Sequence, residues 1–261
     1  MIDMEEVNLK NMRLTFLGTG TSTGVPYIGC QCKVCQSTDI RDKRLRCSSL
    51  LEVDGKHILL DCGPDFRQQA LSAGIPKVDA VLLTHQHMDH ILGLDDLRPY
   101  GNVRIYANEI TYNAILKVFS YCFNNDYKGI PKLEVHNITN QPFDIDGITI
   151  TPVKIWHYKL PVFGYRINNF AYLTDYKTID EEEKLKLKNL KVLVIDALRW
   201  TEHFSHASVS EVLELISEIK PEETYLIHVN HDIGLHEETQ KRLPPHVHLA
   251  YDGLTIEVGA I

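Results

Sequence analysis

The stretch LTHQHMDH places His85, His87, Asp89 and His90 within six residues, directly after an apolar run. Histidine nitrogens and carboxylate oxygens in that density are the side chains that bind divalent cations. If the apolar run is a strand, alternation turns His85 and His87 to the same side. The chain then turns, and Asp89 and His90 face a second point a few ångströms away, so one segment addresses two metals. Each ion needs further ligands. His157 ends TPVKIWH, Asp175 ends AYLTD and His228 ends TYLIH. All three follow apolar strand residues and precede loops, where α/β enzymes place ligand-binding groups. A set of nitrogen and oxygen donors suits zinc, and also manganese or iron.

A second cluster has different chemistry. In GVPYIGCQCKVCQ, Cys30, Cys32 and Cys35 have C-x-C-x₂-C spacing. A closed structural zinc site takes four protein ligands, so three thiolates leave one to be supplied from elsewhere. The other three cysteines are scattered singles. Cys47 precedes the apolar run SSLLEV and reads as a small core residue. This usage indicates metal binding in a reducing compartment rather than a disulfide framework, and a cytoplasmic protein is expected.

The elements that must position these groups are legible as short strands and helices. RLTFLGTG is a strand running into a loop. SSLLEVDGKHILLDCG is a hairpin about Asp54-Gly55. DFRQQALSAGI is a helix ended by Gly74. VDAVLLTH is a buried strand ending at His85, and DHILGLDDLRPYG begins as a helix. VRIYAN is a strand, 109–123 a helix, and 124–142 loop-rich. The second half repeats the theme, with hairpins at Asp146-Gly147 and Asn168-Asn169. The strand KVLVIDAL, the helix SHASVSEVLELISEIK and the strand ETYLIHVN follow. Two mixed sheets with helices outside satisfy the layer rules. The expected organisation is one domain over 1–261, with a lid or insert at about 109–142. That insert carries Tyr112, Phe119, Tyr121, Phe123 and Tyr127, for which core packing is the favoured role.

Composition removes several classes. Of 261 residues 44% are hydrophobic, enough for a full core. The net charge is −8 and no basic stripe occurs, so a nucleic-acid partner is not expected. The opening MIDMEEVNLK lacks an apolar region, so no signal peptide is expected, and no run of about 18 apolar residues suggests a membrane span.

The H-x-H-x-D-H segment with a distant His, Asp and His resembles the metallo-β-lactamase superfamily over nearly the whole chain. The resemblance implies an α/β fold, the αβ/βα sandwich, with a dinuclear site between two mixed β-sheets packed face to face. It implies one metal on His85, His87 and His157, the other on Asp89, His90 and His228, and Asp175 bridging both. Asp61, in LLDCG, matches the family's strand-end Asp that supports the ligands. GTGTSTGVPYIGCQCKVC, LTHQHMDHILGLDDLR and WHYKLPVFGYRI are similar to the PhnP-like branch, whose members hydrolyse phosphoribosyl cyclic phosphate. In that branch the cysteines bind a structural zinc with a His three residues after the last active-site His. His231 stands at that offset, with His236 and Cys47 as rivals.

His206, in FSHASVSEVLEL, matches a catalytic His of the phosphodiesterase branches and is expected to open a helix. There it would protonate a leaving alkoxide, with help from Asp89. His203 is a weaker candidate for the same pocket, and Lys159 and Arg98 are candidate phosphate contacts. The expected enzyme is a dinuclear metal-dependent phosphodiesterase. A metal-bridging hydroxide would attack a small cyclic phosphodiester. The cofactors are two divalent metals, zinc or manganese with iron also compatible, and one structural zinc. Rivals are tRNase Z-like RNA processing, thioester or lactone hydrolysis, and a non-enzymatic metal-binding or redox-sensing protein. A homodimer is left open.

Overall fold

The computed structural model describes residues 12–123 and 129–259. The first half holds β1 Met12–Gly18, β2 Ser48–Val53, β3 Lys56–Leu60, α1 Phe66–Ala73, β4 Ala80–Leu82, α2 Met88–Ile91, β5 Asn102–Ala107, α3 Glu109–Val118 and β6 Lys132–Asn137. The second half begins with β7 Phe143–Ile145, β8 Ile148–His157, β9 Leu160–Ile167, β10 Phe170–Leu173, β11 Thr178–Ile179 and α4 Glu181–Lys184. It continues with β12 Val192–Asp196, α5 Val209–Ile219, β13 Glu223–Ile227, α6 His236–Gln240, β14 Val247–Leu249 and β15 Thr255–Gly259.

One sheet runs β15-β1-β2-β3-β4-β5-β6 and the other β11-β8-β9-β10-β12-β13-β14, with β7 beside β8. Each is mixed. The hairpin strands pair antiparallel, as do β11 and β8, while β3-β4-β5-β6 and β10-β12-β13-β14 pair parallel. Alternation gives each central strand two apolar faces. Phe16, Leu60, Leu82, Tyr165, Phe170 and Tyr172, all fully buried, meet between the sheets. Leu59, Val81 and Ile105 face outward beneath Phe66 and Ile115 of α1 and α3. Leu193, Ile195 and Leu226 face outward beneath Val212, Leu215 and Ile216 of α5. Each such buried side chain contributes roughly 1.5–3 kcal/mol relative to exposure. The result is the expected two-sheet sandwich with helices outside.

The predicted turns hold: Asp54 and Gly55 have φ of 45° and 77°, Asp146 and Gly147 52° and 89°, and Gly74 ends α1 at 61°. Three expectations need correction. Strand β4 stops at Leu82 rather than running to His85. Beyond it the chain crosses toward the second sheet, where Phe163 N donates to Thr84 O and the Tyr165 hydroxyl to Leu83 O. The loop-rich reading of 124–142 missed β6, which pairs in parallel with β5. Strand β5, helix α3 and strand β6 are thus parts of the sheet layer rather than of a free-standing insert, with Ile115 and Phe119 in the core. Tyr127 lies outside the described residues. The last two strands, β14 and β15, were not foreseen either. Strand β15 returns to the first sheet beside β1, a pairing some 240 residues apart that no local pattern announces.

Candidate metal centre

Strand ends from both sheets converge on one edge of the sandwich. Asp61 follows β3, Asp175 follows β10 by two residues, and His228 follows β13 directly. All three have left-handed backbone, with φ of 60°, 54° and 55°. A non-glycine residue held there costs on the order of 1–3 kcal/mol, and such strain concentrates at functional sites. Two glycines admit the H-x-H-x-D-H segment. A Cβ on Gly63 would lie 2.0 Å from Asp89 O, and one on Gly93 2.1 Å from Gly63 O. The LLDCG turn and the α2 segment therefore touch backbone to backbone, and Cys62 N donates to His90 O.

The carboxylate of Asp175 sits at the middle of the cluster. Its Oδ1 lies 3.8 Å from His85 Nε2 and 3.9 Å from His157 Nε2. Its Oδ2 lies 3.1 Å from His90 Nε2 and 3.4 Å from His228 Nε2. His85 Nε2 and His87 Nδ1 come within 2.9 Å of each other, on the Oδ1 side. Asp89 Oδ2 comes within 3.2 Å of His90 Nε2 and 3.8 Å of His228 Nε2, on the Oδ2 side. The structure thus brings together all seven residues of the sequence-derived ligand set, in two groups that share one carboxylate.

The outward ring nitrogens are held by the protein, as outer partners hold metal-ligating histidines. His90 Nδ1 donates to Asp61 Oδ2 at 2.8 Å, and His157 Nδ1 to Ser205 O at 2.9 Å. His85 Nδ1 lies 3.0 Å from Thr84 Oγ1, whose own proton goes to Asp61. Asp61 is fully buried and binds both His90 and Thr84, an arrangement that fits its expected supporting place.

Sequence reasoning missed Asp196, the last residue of β12. It is fully buried, and its oxygens lie 3.3 Å from His228 Nδ1 and 3.4 Å from His206 Nδ1. The signal was present: VLVID ends an apolar strand on Asp, as LLD does at Asp61.

The electrostatics suit cations. Burial holds His85, His87 and His157 below the usual histidine range, so their rings are neutral ligands at neutral pH. At His90 burial is outweighed by the carboxylates of Asp175, Asp89 and Asp61, which draw positive charge to that point. His228 behaves likewise, through Asp175 and Asp196. For Asp175 burial is outweighed by His228, His90 and His85, which keep it ionised. His90 Nε2 and His228 Nε2, the nitrogens turned toward Asp175, are buried without a hydrogen-bond partner, while His228 Nδ1 faces Asp196 at 3.3 Å. Buried polar atoms of this kind call for an explanation, and a divalent ion supplies one. The donor set therefore fits divalent metal.

The four other candidates divide. His206 belongs to the cluster, with its ring 4.5 Å from His157 and stacked 4.9 Å from His228. It does not open a helix. Ser208 caps α5 in a capping box with Glu211, so His206 lies in the preceding loop. S-V-S-E was the available signal. His203 stands behind it, ring to ring at 5.4 Å. Lys159 lies on the exposed turn after His157, its ammonium 5.2 Å from the Tyr158 ring. Arg98 is tied to Asp95 at 2.8 Å, as is the Tyr121 hydroxyl at 2.6 Å, and among the described contacts it reaches none of the cluster.

The cysteines gather with His231. Cys30 Sγ and Cys32 Sγ lie 3.4 and 3.3 Å from His231 Nδ1. The ligand atoms of Cys30, Cys32, Cys35 and His231 all lie within 4.8 Å of one another. The amide of Cys35 beside Cys32, helped by His231, lowers the Cys32 thiol to about 6, while burial raises Cys35 to about 11. Tyr27 stacks on His231 at 5.6 Å and donates its amide to Cys35 Sγ. The rivals are elsewhere. His236 packs on Arg44, and Cys47 is buried beside the Tyr172 hydroxyl. Four sulfur and nitrogen donors at this spacing fit a closed zinc site.

Comparison with known proteins agrees with this architecture. Residues 56–229 match the β-lactamase superfamily domain model. A solved structure described as a new diphosphatase from the PhnP family superposes with a TM-score of 0.90 at 41% identity, covering 95% of this chain and 98% of that one. An octanoyltransferase of Porphyromonas gingivalis is 46% identical over 250 residues, which is 93% of this chain and 51% of that protein. A ribonuclease Z of Bradyrhizobium diazoefficiens is 29% identical over 161 residues, 58% of this chain and 48% of that protein. The chain spans about half the length of these two curated relatives. With the family model covering most of the chain and the PhnP-family structure matching end to end, the chain belongs to the β-lactamase superfamily of metal-dependent hydrolases, in its PhnP-like branch.

Proposed function

We propose that this hydrolase is a dinuclear metal-dependent phosphodiesterase acting on a small, cyclic or otherwise strained phosphodiester. The observation that carries the reading is Asp175, whose two oxygens face two separate groups of nitrogen and oxygen donors. His85, His87 and His157 would hold one ion, and Asp89, His90 and His228 the other. Two such ions supply Lewis acidity and an activated water, the pair of functions that phosphoester hydrolysis requires.

The chain's own groups do the rest. Asp61, Thr84, Ser205 and Asp196 fix the ring orientations, so the donors need no rearrangement as charge develops. Asp196 lies beside His206 Nδ1, which leaves Nε2 as the atom to pass a proton to the departing alkoxide. The phosphorus–oxygen bond to that alkoxide breaks as water's oxygen bonds to phosphorus; the proton from His206 completes the alcohol, and the proton shed by the water passes to solvent, from which His206 is reprotonated. Lys159, on the turn after His157, would have to swing off the Tyr158 ring to meet a phosphate oxygen. The PhnP-family diphosphatase supports chemistry at phosphorus. The net charge of −8 and the lack of a basic arm favour a small substrate over RNA.

The octanoyltransferase name concerns a protein of which this chain spans half, and acyl transfer is not the reading adopted. No helix among the described residues is long and apolar enough to cross a membrane. The test is a hydrolysis panel with zinc- or manganese-loaded protein. It comprises bis-p-nitrophenyl phosphate, cyclic nucleotides, ribose cyclic phosphates, a tRNA precursor and an octanoyl thioester. Turnover confined to the small diesters supports the reading. Preferential cleavage of the tRNA precursor or the thioester replaces it.

A further inference from the structure

The mouth of the metal cluster carries aromatic surface that neither packing nor the proposed chemistry explains. Tyr158 is 55% exposed and Phe204 69% exposed. They come from different parts of the chain, yet their rings meet edge to face at 5.7 Å. Each sits beside the cluster in sequence, Tyr158 after His157 and Phe204 between His203 and His206. A continuous chain of ring contacts leads inward. Phe204 meets His203 at 4.5 Å, His203 meets His206 at 5.4 Å, and His206 meets His157 at 4.5 Å.

The backbone under Tyr158 points the same way. Because His157 pairs with Leu160, Tyr158 and Lys159 are the only residues of the β8–β9 turn. The first of them has φ of 56°. Two-residue hairpin turns with positive φ at that position favour glycine, asparagine or aspartate, and a bulky ring there is an outlier. An exposed tyrosine in a conformation that disfavours it gains nothing from burial that would offset the strain. Such residues persist where the ring itself is used. The Lys159 ammonium above the ring adds positive charge to the same spot.

We propose that Tyr158 and Phe204 form a stacking platform for a nucleobase, so that the substrate is a nucleotide-sized phosphodiester carrying a base rather than a bare sugar phosphate. The inference rests on the phosphodiesterase reading and names its substrate class. Exposed aromatic rings accept any base because every base has a π-face, and stacking on one strengthens binding by about 5- to 150-fold. With the phosphate at the metal cluster, a ribose would span from there to the ring pair.

The test compares a ligand with its base-free counterpart. Calorimetry on zinc-loaded protein would measure AMP against ribose 5-phosphate, and kinetics would measure adenosine 2′,3′-cyclic phosphate against ribose cyclic phosphate. Wild type should bind AMP at least about fivefold tighter and show the same preference in KM. The double variant Tyr158→Gly, Phe204→Ala should lose that preference while its rate on the base-free diester stays unchanged. Glycine suits the turn, so Tyr158→Gly alone should melt within a few degrees of wild type and still lose part of the preference. Equal affinity for AMP and ribose 5-phosphate in wild type, binding of neither, or a preference that survives in the double variant would overturn the proposal. AMP preference abolished by the double variant, with no diester turned over, would leave the platform standing and remove the phosphodiesterase reading instead.

Discussion

Two clusters of metal-type ligands share one short loop and differ in donor chemistry and openness. His228 closes strand β13 and belongs to the nitrogen and oxygen cluster, and three residues later His231 belongs to the cysteine cluster. The first is set among buried carboxylates, with histidine nitrogens that find no protein partner. One side stays open, where His87 is exposed. The second is all sulfur and nitrogen, with one donor from each of four residues and backbone amides of Tyr27, Cys32 and Cys35 directed at the thiols. Catalysis needs open coordination and adjustable charge, whereas a structural site needs a filled tetrahedron. The loop between them is fixed to the N-terminal strand's exit, as Val229 N donates to Thr19 O and Thr21 N to Val229 O.

Breaking the first cluster should cost the most. Asp175→Asn leaves the fold's apolar core untouched but removes the carboxylate both groups share. Turnover should fall by more than the ~10–100-fold typical of an outer partner, and metal content should drop. Atomic absorption with steady-state kinetics checks both, and near-normal turnover at equal metal content would exclude a shared ligand.

His206→Ala sharpens the comparison from within the same cluster. It should slow hydrolysis by about 10²–10⁴-fold while metal content stays unchanged. The substrate must have a poor leaving group, because a nitrophenolate departs without a proton. A rate within threefold of wild type on a ribose-type diester would retire the assignment.

His231→Ala addresses the second cluster. The melting temperature should fall and bound metal should drop from three ions to two. Activity should fall only indirectly, as the loop bearing His228 loosens. Three ions retained in the variant would remove His231 from the site.

How much of this was legible in the sequence varies with the range of the interaction. The ligand segment, the strand-end His157, Asp175 and His228, and the Asp-Gly hairpins were visible because their signals are local. The cysteine spacing pointed to a metal-type cluster, but its fourth member came from resemblance, since Cys35 and His231 lie far apart in the sequence. Strands β6, β14 and β15 were missed because short strands are defined by neighbours rather than by their own pattern. His206 was assigned to a helix start because the Ser208–Glu211 capping box was overlooked. Asp196 was passed over as part of a strand, although its burial beside His228 and His206 makes it the closest analogue of Asp61. Arg98 offers a cation in the sequence, but Asp95, three residues earlier on the same turn of chain, takes it up.

The smallest expected effect lies just beyond the zinc loop. His236 is buried, accepts from Arg44 at its Nδ1, and is held at about 4, first by burial and then by the charges of Arg44 and Arg41. Its folded pKa lies below the unfolded value of about 6.5, so the unfolded chain binds the extra proton. Its contribution is present above pH 6.5 and is lost as pH falls toward 4. Denaturation of wild type and His236→Gln between pH 7 and 5 should show a shallower loss in the variant, by about 1–2 kcal/mol. Parallel curves would place the acid sensitivity elsewhere.

The central claim is that the seven donors around Asp175 hold two metals. Anomalous scattering from a metal-replete crystal tests it most directly. Two peaks should flank the Asp175 carboxylate, one within bonding distance of His85, His87 and His157 and the other of Asp89, His90 and His228, with a separate zinc peak among Cys30, Cys32, Cys35 and His231. A metal-replete crystal with no peak within bonding distance of His85 would contradict it.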